Sequence, residues 1–179
     1  SCPYDHSIDC YTSRQINVSV SPSDCGLNFR LRTALAGVLP SGTLMMDQLR
    51  SNGLLPAIEP YSASGYSYTG TASGMTVPQS MFNTTGNNAI VDWVIVELRQ
   101  SNAPFATFHS RPALLQRDGD VIDTDGSSYI NAPLTPGTYR VVVRHRNHLG
   151  VMSEPRAFSL DPTTTLIDLR SASTSTYGT

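Results

Sequence analysis

The sequence predicts an all-β domain: an antiparallel β-sandwich, Ig-like or jelly-roll, of about 8–10 strands with one short helix. Three observations carry this reading. Apolar residues recur with a period of two rather than 3.6 through most of the chain. Asp-Gly, Pro-Gly and Asn-Gly pairs punctuate it at intervals that suit short strands. Only 15% of residues are charged, with Ser, Thr, Gly, Pro and Asn filling the gap.

Taken in order, residues 1–25 are a cysteine-bearing arm that contains a first strand, 15–20, where Ile16, Val18 and Val20 share one face. Residues 27–35 continue as a strand with Leu27, Phe29, Leu31, Thr33 and Leu35 on one side. Residues 43–53 read as a helix of about two to three turns: Thr43 caps it, Met45, Met46 and Leu49 form its stripe, and Asn52-Gly53 ends it. Residues 53–88, rich in Gly, Ser, Thr, Tyr and Pro, show no clear period and read as a long loop with one or two short strands at most, the kind that carries an interface or a function. Residues 89–99, AIVDWVIVELR, are apolar on both faces, with Val94, Val96 and Leu98 opposite Trp93 and Ile95. That is the pattern of a central strand between two layers.

Residues 112–117 and 120–123 flank Asp118-Gly119, whose tolerance of positive φ predicts a type I′ hairpin. A second turn follows at Asp125-Gly126, and Pro136-Gly137 leads into a long strand over 140–146. Residues 158–160 and 165–169 complete the strand count. The sandwich domain therefore runs over 26–170, with the arm before it and a Ser/Thr-rich tail, 171–179, after it.

Composition limits the partners. A chain of 179 residues is one domain of ordinary size. Its net charge of −2 predicts no nucleic-acid partner and no basic membrane patch. No apolar run reaches the roughly 18 residues a membrane helix needs, so no membrane insertion is expected, and no signal-peptide pattern opens the chain. All twelve basic residues are arginine. Mechanisms that need a lysine amine, such as Schiff bases and isopeptide cross-links, are thereby excluded.

Cys2, Cys10 and Cys25 all lie in the arm, at spacings that fit neither a CxxC redox pair nor a paired zinc site. The simplest reading is a disulfide, Cys10 to Cys25, which closes a loop around the first strand, with Cys2 to Cys10 as the alternative. Three reduced cysteines in a cytosolic protein is the competing reading. Asn17-Val18-Ser19 and Asn83-Thr84-Thr85 have the form of glycosylation acceptors.

Four aspartates, Asp118, Asp120, Asp123 and Asp125, fall within eight residues. An EF-hand needs acids at alternate positions and a closing glutamate; Val121 and Ile122 break the alternation, and no glutamate follows before Glu154. A looser, weak calcium site using the four carboxylates competes with plain hairpin turns paired to Arg111 or Arg117. His145 and His148 would share a face on a helix and bind metal there, but on a strand they are expected to point to opposite faces. A glycosidase pair from Glu97 with Asp92 or Asp120 is weakened by the arginines around Glu97, and no G-x-S-x-G elbow occurs. No catalytic residue and no cofactor is expected. Tyr61, Tyr66 and Tyr68 offer sugar-stacking platforms, or else pack against the sandwich.

The stretches VDWVIVELR (91–99), RPALLQRDGDVIDTDG (111–126), PGTYRVVVRHRNHLGVM (136–152) and, more loosely, GLLPAIEPY (53–61) carry a resemblance. Together they resemble a hemagglutinin-like module of large secreted or surface proteins of Bacteroidota-like bacteria, over roughly residues 26–165. The resemblance implies a secreted β-sandwich beside other such modules and carries over no catalytic activity. The expected function is thus an extracellular structural or adhesive protein of a bacterial surface, a pilus-like fibre subunit assembling with copies of itself by terminal strand exchange. The donor is the arm, through Ile16, Val18 and Val20, or the C-terminal end, through Leu166, Ile167 and Leu169 and the tail 171–179; the competing reading is that both terminal strands pair within their own chain. The alternative is a carbohydrate-binding module that engages surface glycans.

Overall fold

A computed structural model describes residues 26–36, 44–160, 166–171 and 173–177. The described residues form strands β1 (Leu27–Arg32), β2 (Ile90–Gln100), β3 (Thr107–Gln116), β4 (Asp120–Ile122), β5 (Ile130–Ala132), β6 (Gly137–His145), β7 (His148–Met152), β8 (Arg156–Phe158) and β9 (Leu166–Asp168), with one helical turn, α1 (Gln48–Ser51). They make a single sheet in the order β5-β1-β4-β3-β2-β6-β7, with β8 added to β6 and β9 to β1. All pairings are antiparallel except β1 with β9. The all-β, mostly antiparallel class and the single short helix are as the periodicity predicts.

The sheet curls over its main core. Phe29 of β1 and Phe158 of β8, from distant parts of the sheet, meet edge to face with ring centroids 5.3 Å apart. Between them lie Leu31, Val94, Val96, Leu98, Leu115, Val141, Val143 and Ile167, all buried. A bulge between Ile90 and Asp92 shifts the alternation of β2. Beyond it, Val94, Val96 and Leu98 face this core while Trp93 and Ile95 face a second one.

The long loop 53–88 packs a second core. Leu55, Tyr61, Val77 and Phe82 drop from this segment onto Ile90, Trp93, Ile95, Leu114 and Ile122. The segment is a cover over the outer face of the sheet, and this explains why β2 is apolar on both sides. It has no period because it is not a regular element: it holds itself through an Ile58–Thr76 bridge and two short 3₁₀ turns.

The helix is shorter than predicted. Met45 is extended: its N–H donates to Arg117 O at 2.8 Å, and its own carbonyl accepts from Arg117 Nε at 2.8 Å. Its side chain enters the main core, whereas Leu49 packs on the second, so the expected stripe is split between two cores. Thr43 lies outside the described residues. The predicted stop holds: Gly53 takes φ +67°, with Gly53 N–H donating to Arg50 O and Leu54 N–H to Leu49 O.

The Asp118-Gly119 hairpin forms, but not as type I′. Only Gly119 has positive φ, +93°, and three residues separate β3 from β4. This is the longer hairpin form, with a left-handed glycine closing the loop. Strand β3 begins at Thr107, earlier than predicted, and carries Pro112. The β4 pairing reaches only Leu114 and Leu115, so Pro112 sits where β3 has one neighbour and a missing N–H is tolerated.

Candidate functional site

Three buried carboxylates order this region: Glu59 ties the cover to itself, Asp92 ties β2 to the β6–β7 hairpin, and Glu97 joins the sheet to the cover. Glu59 sits on the cover, with Oε2 accepting from the N–H groups of Tyr61 (2.8 Å) and Ser62 (3.2 Å) and from the Tyr68 hydroxyl (2.9 Å). Its Oε1 accepts from Gly74 N–H at 3.0 Å. Burial pushes the Glu59 carboxyl up, but the hydrogen bonds from Ser62, Gly74 and Tyr68 prevail and hold it below the usual carboxylate range. Glu97, mid-β2, accepts from Tyr66 hydroxyl at 2.7 Å and pairs with Arg144 Nε at 2.8 Å and Arg99 Nε at 2.6 Å. Asp92 accepts from Trp93 N–H at 2.8 Å and pairs with Arg146 at 2.7 Å and His145 at 3.0 Å.

These contacts place the three tyrosines. Tyr61 is buried and donates to Trp93 O at 2.6 Å, so it has no exposed face for a sugar. Tyr66 and Tyr68 are half-buried and stacked edge to face on each other at 4.9 Å, their hydroxyls committed to Glu97 and Glu59. Burial, then the Glu97 hydrogen bond, pushes the Tyr66 hydroxyl up to about 12. Packing against the sheet, the competing reading of these residues, is what the geometry favours. Their partners on β2 were not legible in sequence, because Trp93 and Glu97 lie some thirty residues away and 53–88 has no period to set a register.

The four loop aspartates do different jobs. Asp118 Oδ1 accepts from Asp120 N–H at 3.1 Å, and Asp120 pairs with Arg32 of β1. Asp123 is buried, pairs with Arg111 and accepts from the Thr124 N–H; Asp125 accepts from Ser127 N–H at 2.7 Å. Burial raises the Asp123 carboxyl, against the pull of Arg111. The carboxylates are turned to separate partners, as in the hairpin-turn reading, and among the described residues no group of three His, Cys, Asp or Glu gathers to hold a metal.

His145 and His148 are a second correction. Arg146 and Asn147 form a two-residue turn between β6 and β7, so the two histidines face each other across the hairpin. Their rings lie 4.8 Å apart, with the two Nδ1 atoms at 2.9 Å. The i, i+3 argument assumed one continuous strand; the Arg-Asn pair inside RHRNH was the signal that the chain reverses there.

Of the candidate contact residues, Ile167 lies in the chain's own main core and Leu169 packs against it, while Leu166 is 51% exposed. Strand β9 runs parallel to β1, Leu169 N–H donates to Arg32 O at 2.8 Å, and Arg170 pairs with Asp168 at 2.9 Å. Within one chain, residues 166–168 of the C-terminal stretch thus pair with its own β1. Asn83 is exposed at the end of a 3₁₀ turn. Cys2, Cys10, Cys25, Asn17, Ile16, Val18 and Val20 lie outside the described residues.

One surface is unusual. Strand β7 ends the sheet, and beyond it the described residues place only a short piece of tail, where Tyr177 N–H donates to Met152 O at 2.8 Å and Ser153 bridges Thr176. That tail is held by Arg140, whose guanidinium lies 5.1 Å from the Phe105 ring centroid and 4.8 Å from that of Tyr177. The rest of β7 presents Leu149, 96% exposed. No helix among the described residues is long and apolar enough to cross a membrane. No family model matches this chain, and no curated protein or solved structure does so either.

Proposed function

We propose that this chain is an extracellular structural module of a bacterial surface, a fibre subunit in which the N-terminal arm of one copy adds as a strand to the β7 edge of the next. The observation that carries the reading is that edge: a terminal strand with a fully exposed leucine, of the kind that proteins otherwise blunt with charge or proline. A matching donor exists in residues 15–20, which alternate apolar and polar over a length close to the five residues of β7. The pairing of β9 with its own β1 favours the arm as donor over the C-terminal stretch and its tail, 171–179. A contact between two different surfaces repeats head to tail and grows a filament. The extracellular placement rests on the disulfide expected among the arm's cysteines and on the resemblance to secreted surface modules.

The test compares the full chain, a chain lacking residues 1–24, and Leu149→Lys, by light scattering and negative-stain microscopy. The full chain should form filaments, while both variants should remain folded monomers. Filaments from the truncated chain would overturn the arm as donor; filaments from Leu149→Lys would overturn β7 as acceptor. A full chain that stays monomeric at high concentration would overturn the fibre reading.

A further inference from the structure

We propose that His145 and His148, facing each other across the β6–β7 hairpin, bind a divalent transition metal, with Zn²⁺ the ion best suited to the site. His145 Nδ1 accepts the Asn147 N–H at 3.2 Å, so that nitrogen carries no proton. The proton of His145 is therefore on Nε2, which donates to Asp92 Oδ2 at 3.0 Å. His148 Nδ1 donates to the same His145 nitrogen at 2.9 Å, and an ion bound there displaces both donors, the exposed Asn147 N–H turning to water.

This is half of a metal site in its metal-free form. A histidine ligand typically donates its second ring N–H to a carboxylate, which fixes the ring and raises its basicity; Asp92 already does so for His145. Asp92 is itself steadied by Arg146 at 2.7 Å and by Trp93 N–H. Two imidazole nitrogens on one tetrahedral zinc, each at about 2.0–2.1 Å, stand roughly 3.3 Å apart. The observed 2.9 Å needs an opening of only a few tenths of an ångström. His148 would move its proton from Nδ1 to Nε2 through solvent, keeping the ring neutral and freeing the second lone pair. Since His145 and His148 are directly paired in the ladder, the backbone holds both ligands in place before metal arrives. His148 is half-buried, beside the exposed Leu149, so the ion reaches the pair from solvent and water fills its remaining positions. An imidazole pair without thiolate or multiple carboxylates suits zinc or copper rather than calcium or magnesium.

The test uses the full chain after chelator treatment, titrated with ZnCl₂ by calorimetry, beside His148→Gln and His148→Ala. We expect micromolar binding to the parent chain and at least a tenfold loss in both variants, with circular dichroism unchanged. A second readout is independent of the variants: Cu²⁺ bound to the parent should show hyperfine coupling to two imidazole nitrogens in its electron paramagnetic resonance spectrum. Zinc binding that both variants retain at parental affinity places the ion elsewhere, for instance on the arm's cysteines, and overturns the proposal. So does the absence of any binding at millimolar zinc, or a copper spectrum without two nitrogen ligands.

Discussion

Glu97 lies in the middle of β2, 1% exposed, and three donors converge on it from three directions: Arg99 along its own strand, Arg144 from β6 and Tyr66 from the cover. Each donor contributes differently. Arg144 is 47% exposed at its side chain, so its half of the interaction is screened by water, whereas the carboxylate has no solvent to fall back on. Removing the buried charge leaves two guanidiniums facing an unmatched site. We therefore expect Glu97→Gln to destabilise the fold by about 3 kcal/mol and Arg144→Gln by less than about 1 kcal/mol, read from urea denaturation midpoints. Equal effects would show that the pair acts as a surface salt bridge. The arginines around Glu97 were legible in the sequence, although in register Glu97 faces Val142 and Arg144 reaches it diagonally from its place opposite Ile95. Tyr66 was not, since nothing local in 53–88 tells which sheet position it will meet.

Among the elements, the β3–β4 hairpin tests how much a turn depends on its glycine. Gly119 has φ +93°, and a Cβ there would lie 2.7 Å from Thr33 O and 2.7 Å from Arg170 Nη1. The arginine can move; the carbonyl of Thr33 cannot, because it lies on the neighbouring chain segment, whose own N–H is bonded to Gly119 O at 2.9 Å. Gly126 has nearly the same φ, +89°, but a Cβ there would find only Met81 Cε, at 3.7 Å. Gly126→Ala should thus cost about 1 kcal/mol, the left-handed backbone term alone. Gly119→Ala should cost at least about 2 kcal/mol, adding steric conflict to the same strain. Thermal melts of the two variants check this, and similar losses would mean that the close approach to β1 relaxes freely. Asp-Gly located the hairpin in the sequence, and the two-faced run 89–99 located the central strand. The helix was misjudged because Met45 and Leu49 look like one stripe in sequence while they belong to opposite faces of the sheet.

At the scale of the molecule, β2 could be read from sequence as a strand between two layers, and 53–88 was the one long stretch left without an element. The second layer had to come from there, although its spacing gave no register. Trp93 joins the two layers: its backbone belongs to the sheet, its ring is buried in the second core, and its Nε1–H donates to Pro56 O on the cover at 2.9 Å. Since neighbouring residues of β2 and β3 point into opposite cores, neither core can open without disturbing the strands that build the other. The cover and the sheet should therefore unfold as one cooperative unit. Trp93 fluorescence, which senses the cover, and far-ultraviolet circular dichroism, which senses the sheet, should give superimposable denaturation curves. Phe82→Ala, which hollows the cover, should destabilise by about 3 kcal/mol and move both curves together. If fluorescence changes first while the sheet signal holds, the cover is a separately folding flap and the two cores are not coupled.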